Sequence, residues 1–230
     1  QVRPLLPEDD ATQYNHQPYI ISGQHDIDDA WVEAVGRHKI FPRFTIDYSK
    51  FEQVPKERMN EFFDYRTNQP FIDSIVSQIT QLARQYQWGG IVFEYGFVNT
   101  NMVLGSILVP LTQKLSSNGV KVILVIAPWR KPIQQMKDQF VNKMDLSFLE
   151  QYVHRFFVMT YDYAVAMRMV GPNAPISDMI QPTLRHLILG NVNSSRPESG
   201  ELGFDERKIA QKLLLGLNLY GYLFGGNGAA

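Results

Sequence analysis

Hydrophobic positions along the chain follow two alternating rhythms. After Pro70, the residues Phe71, Ile72, Ile75, Val76, Ile79, Leu82, Ala83 and Tyr86 recur at helical spacing. A helix burying one face gives that period. A second helix carries Met102, Val103, Leu104, Ile107, Leu108, Leu111 and Leu115, and Asn118-Gly119 supplies its stop. Nearer the start, Asp26 is positioned to cap a helix with Ile27, Trp31, Val32 and Val35 on one face. Residues Leu146–Val153 read as a short helix. Between these segments the apolar residues run consecutively, as in Phe41–Asp47, Gly89–Tyr95, Val120–Ala127, Arg155–Tyr161 and Leu213–Gly221. Tyr19–Gly23 adds a short strand. Strands that are apolar on both sides belong to a parallel sheet covered by helices on both faces.

Such an order fits a doubly wound sheet or a (β/α) barrel. No Gly-rich dinucleotide fingerprint or phosphate loop follows any strand, which disfavours the nucleotide-binding form. Residues 1–18 read as a polar leader, Ser194–Gly203 as a Ser/Pro/Gly-rich loop, and 225–230 as a disordered tail. No linker divides the remainder, so 19–224 is expected to be one domain.

With 44% hydrophobic and 20% charged residues, the 230-residue chain has the balance of a folded protein. A formal charge of -1 argues against a nucleic-acid partner. The absence of cysteine excludes disulfides and thiolate metal sites. No apolar run is long enough to span a bilayer, and no signal peptide is visible at this end. Asn193-Ser194-Ser195 is a glycosylation sequon, a weak pointer to secretion. His25 stands near Asp26 and Asp28, but no second histidine lies at ligand spacing, so no metal is expected.

Three stretches carry a family resemblance. VMTYDYA (Val158–Ala164) resembles the sixth-strand motif Met-x-Tyr-Asp of glycoside hydrolase family 18. LLLGLNLYG (Leu213–Gly221) resembles the seventh strand, and GGIVFEYG (Gly89–Gly96) stands where the fourth strand reads D-x-x-D-x-D-x-E. GPNAP (Gly171–Pro175) and HDID followed by AW (His25–Trp31) narrow the match. The resemblance runs from about Ile20 to Tyr222 and implies an α/β fold: a (β/α)8 TIM barrel of the family 18 glycosidase type. On this mapping the barrel is incomplete, with strands 1 and 8 missing, as in a fragment or shortened gene product.

In active family members the fourth-strand Glu protonates the glycosidic oxygen while the substrate's acetamido group attacks, oriented by the preceding Asp. Aligned on that motif, the first Asp is Gly89, the second Val92, the third Glu94, and the acid is Gly96. The resemblance therefore implies a chitooligosaccharide binder with no catalytic residue. The alternatives are a hydrolase with a relocated acid, at Glu94 or Asp162, and an inactive truncated product. Glu94 shares the strand face of position 96 but lies two residues deeper, about 6–7 Å. It is expected either to meet saccharide or to bond Tyr161 or Asp162 inside the barrel, since a buried charge needs partners.

Tyr161 and Asp162 match the pair that contacts the acetamido group, and sit where barrels build their sites. They either hold an N-acetyl sugar or satisfy the rim. Trp129 follows the fifth strand; it stacks on a pyranose ring or packs against helices. Tyr220 and Asn218 close the seventh strand, and Asp47 the third. Asn173 offers its amide to sugar or bonds its own backbone. The resemblance also implies amino-sugar glycans as ligands, a secreted or lysosomal setting, and contact with a scavenger receptor of the stabilin-1 type. It implies no cofactor and no membrane insertion.

Overall fold

The computed structural model describes residues 2–4, 19–23, 27–46, 64, 66–94, 104–128, 146–189 and 204–221. They form two compact units, Gln1–Leu124 with Tyr152–His154, and Val125–Gln151 with Arg155–Ala230.

The first unit opens with a two-stranded antiparallel ribbon, β1 (Val2–Pro4) against β2 (Tyr19–Ile21), with Val2 opposite Ile21. The segment expected to be a polar leader thus contributes a strand. The Ile21 amide donates to Gln78 Oε1 at 3.2 Å, which ties the ribbon to helix α2 (Gln69–Gln85). Helix α1 (Asp29–Val35) is capped by Asp28, whose carboxylate accepts the Trp31 N–H at 3.0 Å. An N-cap side chain reaches the second or third helical amide, which Asp28 does here; Asp26, the cap expected from the sequence, lies outside the described residues. The expected apolar face of α1 is also narrower. Val32 is buried, whereas Trp31 is 57% exposed.

Three parallel strands form the sheet of this unit: β3 (Arg43–Thr45), β4 (Ile91–Glu94) and the first part of β5 (Val122–Ile126). Phe44 lies beside Phe93, and Phe93 beside Leu124, and all three are buried. The alternate residues Arg43, Val92 and Glu94 share the other, more open face. Helix α2 buries Phe71, Ile72, Ile75, Val76, Ile79, Leu82 and Ala83, the stripe expected from the sequence. It ends in a Schellman arrangement in which the Trp88 amide bonds Ala83 O at 3.0 Å and Gln87 takes φ 53°. The Trp88 ring then stacks on Tyr86 and meets Phe44 edge-on. Helix α3 (Val109–Ser117) follows a π turn at Leu104–Leu108 and stops at Asn118-Gly119. Buried Asn68 joins the two helices by donating from Nδ2 to Ser106 O at 2.6 Å.

In the second unit, the Met159 amide donates to Ile126 O, at the end of β5. Strand β6 (Arg155–Val158) pairs in parallel with β7 (Leu213–Leu215), Phe156 beside Leu213. Phe156, Val158, Leu146, Leu149 and Met179 are fully buried and form its core. Short helices α4 (Ser147–Glu150) and α5 (Tyr163–Ala166) precede and follow β6. A π turn at Ile176–Ile180 continues into α6 (Gln181–Leu189). Helix α7 (Phe204–Lys212) passes into β7 with no intervening residue. Lys212 Nζ pairs with Glu150 Oε1 at 3.0 Å, tying α7 to α4. The run Leu213–Gly221 is a strand only over its first three residues. No helix among the described residues is long and apolar enough to cross a membrane.

Candidate functional site

The residues after β6 and β7 converge. Buried Thr160 donates from Oγ1 to Gly216 O at 2.8 Å, and the Gly216 amide donates to Val158 O at 2.8 Å. These bonds hold the carboxyl ends of the two strands together. Position 216 must be glycine for reasons of space: a Cβ there would lie 2.7 Å from Tyr161 Cε1 and 2.8 Å from Phe157 Cζ. The Tyr161 ring occupies the room that a side chain would take. A glycine inside a strand pattern marks such close approach, so Gly216, which sequence reasoning passed over, carried a readable signal.

Asp162 adopts a left-handed backbone, φ 62° and ψ 25°. For an L-residue this costs about 1–2 kcal/mol, and such conformations persist where the surroundings over-determine them. Here the surroundings do so. Tyr220 Oη donates to Asp162 Oδ1 at 2.5 Å, Asp162 O accepts the Ala166 amide, and the Tyr163 amide donates to Asn173 O of the GPNAP loop. A hydroxyl donating to a carboxylate this closely is a charge-assisted bond. Tyr220 also meets Tyr161 edge-on, with ring centroids 6.3 Å apart. Asn218 donates from Nδ2 to Tyr220 O at 2.7 Å, so its amide shapes the turn that delivers Tyr220. Tyr161 and Asp162 are half-buried and Tyr220 is 48% exposed. The result is a carboxylate bonded to one phenol whose ring meets a second, able to accept a hydrogen bond from a hydroxyl or amide near an aromatic face.

The structure thus brings Tyr161, Asp162, Asn218 and Tyr220 together. Both amide atoms of the Asn173 side chain are buried, and neither has a hydrogen-bond partner among the described residues. Glu94 belongs to the first unit, where Arg43 Nη1 donates to its Oε2 at 3.2 Å. The reason is register. Arg43 sits on the neighbouring parallel strand, on the same face and two residues before Thr45, the direct partner of Glu94, within reach of a long side chain. At Gly89, where the family motif has its first Asp, a Cβ would fall 2.1 Å from His38 O. The backbone here leaves no room for a carboxylate. Asp47, Gly96 and Trp129 lie outside the described residues. Among the described residues, no three His, Cys, Asp or Glu side chains stand close enough to hold a metal.

A parallel α/β sheet with a polar and aromatic cluster after the carboxyl ends of its strands defines the class: a domain of the TIM-barrel type. The sequence profile of glycosyl hydrolases family 18 matches residues 50–230, and the chain belongs to that family. Among solved structures it is similar to ydhD of Bacillus subtilis, assigned as a sporulation-specific glycosylase. The TM-score is 0.55 at 19% identity, over 87% of this chain and 59% of that one. A chitinase from Chromobacterium violaceum gives 0.54 at 16% identity, over 85% and 55%. A class V chitinase from Pseudomonas fluorescens gives 0.50 at 18%, over 82% and 52%. These similarities define the fold as chitinase-like. The chain spans a little over half the length of each structure.

Proposed function

We propose that this chain is a non-hydrolytic, saccharide-binding member of family 18, taking chitooligosaccharides or related amino-sugar glycans. The observation that carries the reading is the Tyr161–Asp162–Tyr220 cluster. Its carboxylate is held in a strained backbone by a tyrosine hydroxyl, in the position from which the family motif addresses an acetamido group. Asp162 accepts the sugar amide proton, and the phenol rings cover an apolar ring face. Hydrolysis needs a carboxylic acid within reach of the leaving oxygen. The aligned position is Gly96, and the neighbouring Glu94 is engaged by Arg43.

Within the family, we propose kinship with chitinase domain-containing protein 1, the stabilin-1-interacting chitinase-like protein. VMTYDYA, GPNAP and HDID followed by AW support this. A secreted or lysosomal location and contact with a scavenger receptor follow from that kinship as part of the proposal.

Titration calorimetry with N-acetylglucosamine oligomers tests the reading. Binding is expected in the wild type, about tenfold or more weaker in Asp162→Asn and Tyr220→Phe, with no reducing ends released over the incubation. Turnover abolished by Glu94→Gln or Asp162→Asn would establish a relocated acid instead. Absence of binding by the folded protein would remove the saccharide reading.

A further inference from the structure

Strand β7 has β6 on one side and, among the described residues, no strand on the other. The Gly216 amide turns toward β6, where it donates to Val158 O. Backbone groups alternate sides along a strand, so the Leu215 amide and carbonyl face the open side. The side chains along this edge are apolar. Leu214 is 40% exposed and Leu215 38%; just past the strand, Leu217 is 77% exposed and Leu219 99%. Every exposed leucine among the described residues lies in this one stretch. Single exposed apolar residues are ordinary, but a contiguous row of them marks an interaction surface.

The charge pattern selects the occupant. Sheet edges open to water are ordinarily guarded by a charged side chain, a proline or a bulge. From Leu213 to Gly221 there is neither a charge nor a proline. A partner of different chemistry would be selected by polar side chains, and the edge offers only Asn218, whose Nδ2 is committed to Tyr220 O. A second copy of the same edge matches it without further design. Leucine meets leucine, no like charges face each other across the twofold axis, and the outward amide and carbonyl of Leu215 find a carbonyl and an amide on the facing strand. We infer that two copies of this chain pair edge to edge through Leu213–Leu219, with each β7 antiparallel to the other. This edge is much smaller than the ~20–30 residues a side of a stable interface. The dimer is therefore weak, with a Kd of roughly 10–100 μM. It is independent of the saccharide reading.

Sedimentation velocity of the whole chain, at concentrations below and above that Kd, tests the inference. The mass should rise from that of one chain to that of two and stop there. Over the same range the Leu215 amide should exchange with solvent more slowly, because it gains a carbonyl partner only in the dimer. Leu217→Lys and Leu219→Lys each set a charge on the edge and should keep the chain monomeric at every concentration. Both side chains already stand in solvent, so circular dichroism should show the fold unchanged. Val170→Lys, at an exposed apolar residue away from β7, should dimerise like the wild type. A wild type that stays monomeric throughout, growth past the dimer, or dimers that persist in folded Leu217→Lys and Leu219→Lys would overturn the inference.

Discussion

Replacing Gly216 by alanine introduces one methyl group where β6 and β7 come closest. Its carbon would stand 2.7 Å from Tyr161 Cε1, 2.8 Å from Phe157 Cζ and 3.1 Å from Val158 O. Carbon atoms settle about 3.5–4.0 Å apart, so the two ring contacts fall short by roughly 0.7 Å or more. The backbone behind each ring is held, and the third contact is itself backbone. Phe157 belongs to a paired strand, and Tyr161 precedes the strained Asp162. Overpacking of this kind costs about 1–3 kcal/mol. For a chain of this length each kcal/mol lowers the melting temperature by about 2–4 °C, so a fall of about 2–12 °C is expected. Glycan affinity should fall with it, because Tyr161 must shift. The control is Gly221→Ala, whose Cβ would meet nothing within 4 Å. Thermal unfolding followed by circular dichroism compares the two. If Gly216→Ala melts with Gly221→Ala, the close approach of the two strands has been misjudged.

Further outcomes follow from single contacts. The Arg66 side chain and then its amide hold the Asp64 carboxyl down to about 2 from the ordinary 3.8. The contribution of this carboxylate is complete above pH 3.8 and lost as pH falls toward 2; carbon-detected NMR titration should show that midpoint, moving up in Arg66→Gln. Gln87→Gly should stabilise by about 0.5–1 kcal/mol in urea unfolding, because glycine takes the left-handed position at the end of α2 without the side-chain clash. Asn68→Ala should cost about 1–3 kcal/mol in the same assay, since it removes a buried bond to Ser106 O.

Much of the fold was legible because burial repeats along the chain. The stripe from Phe71 to Ala83 and the runs around Phe44, Phe93, Leu124 and Phe156 all became the elements expected of them. The run Leu213–Gly221 misled because composition does not show where pairing stops. After Gly216 the Asn218 amide bonds Tyr220 O and bends the chain, and Leu217 and Leu219 stand exposed. Helices α6 and α7 carry too few apolar residues in regular spacing to have stood out, and β1 depends on partners further along the chain, Pro4 on Tyr19 and Val2 on Ile21. Tyr161, Asp162 and Tyr220 were visible as strand-end residues. Their contact was not, since it rests on a backbone turn at Asp162 that no residue pattern encodes. The Arg43–Glu94 pair was not legible, because the strand register that brings the two within reach cannot be read from spacing.

Helix α7 gives way to β7 between Lys212 and Leu213 without a loop. Length changes are ordinarily absorbed by connecting segments, and this junction has none. One inserted residue would swing Lys212 about 100° around the helix axis, away from Glu150. Alternatively it would slip β7 by one position and reverse which leucines meet β6. A one-residue insertion or deletion in this stretch therefore disrupts either the Lys212–Glu150 tie or the β6–β7 pairing, whereas a substitution leaves both in register.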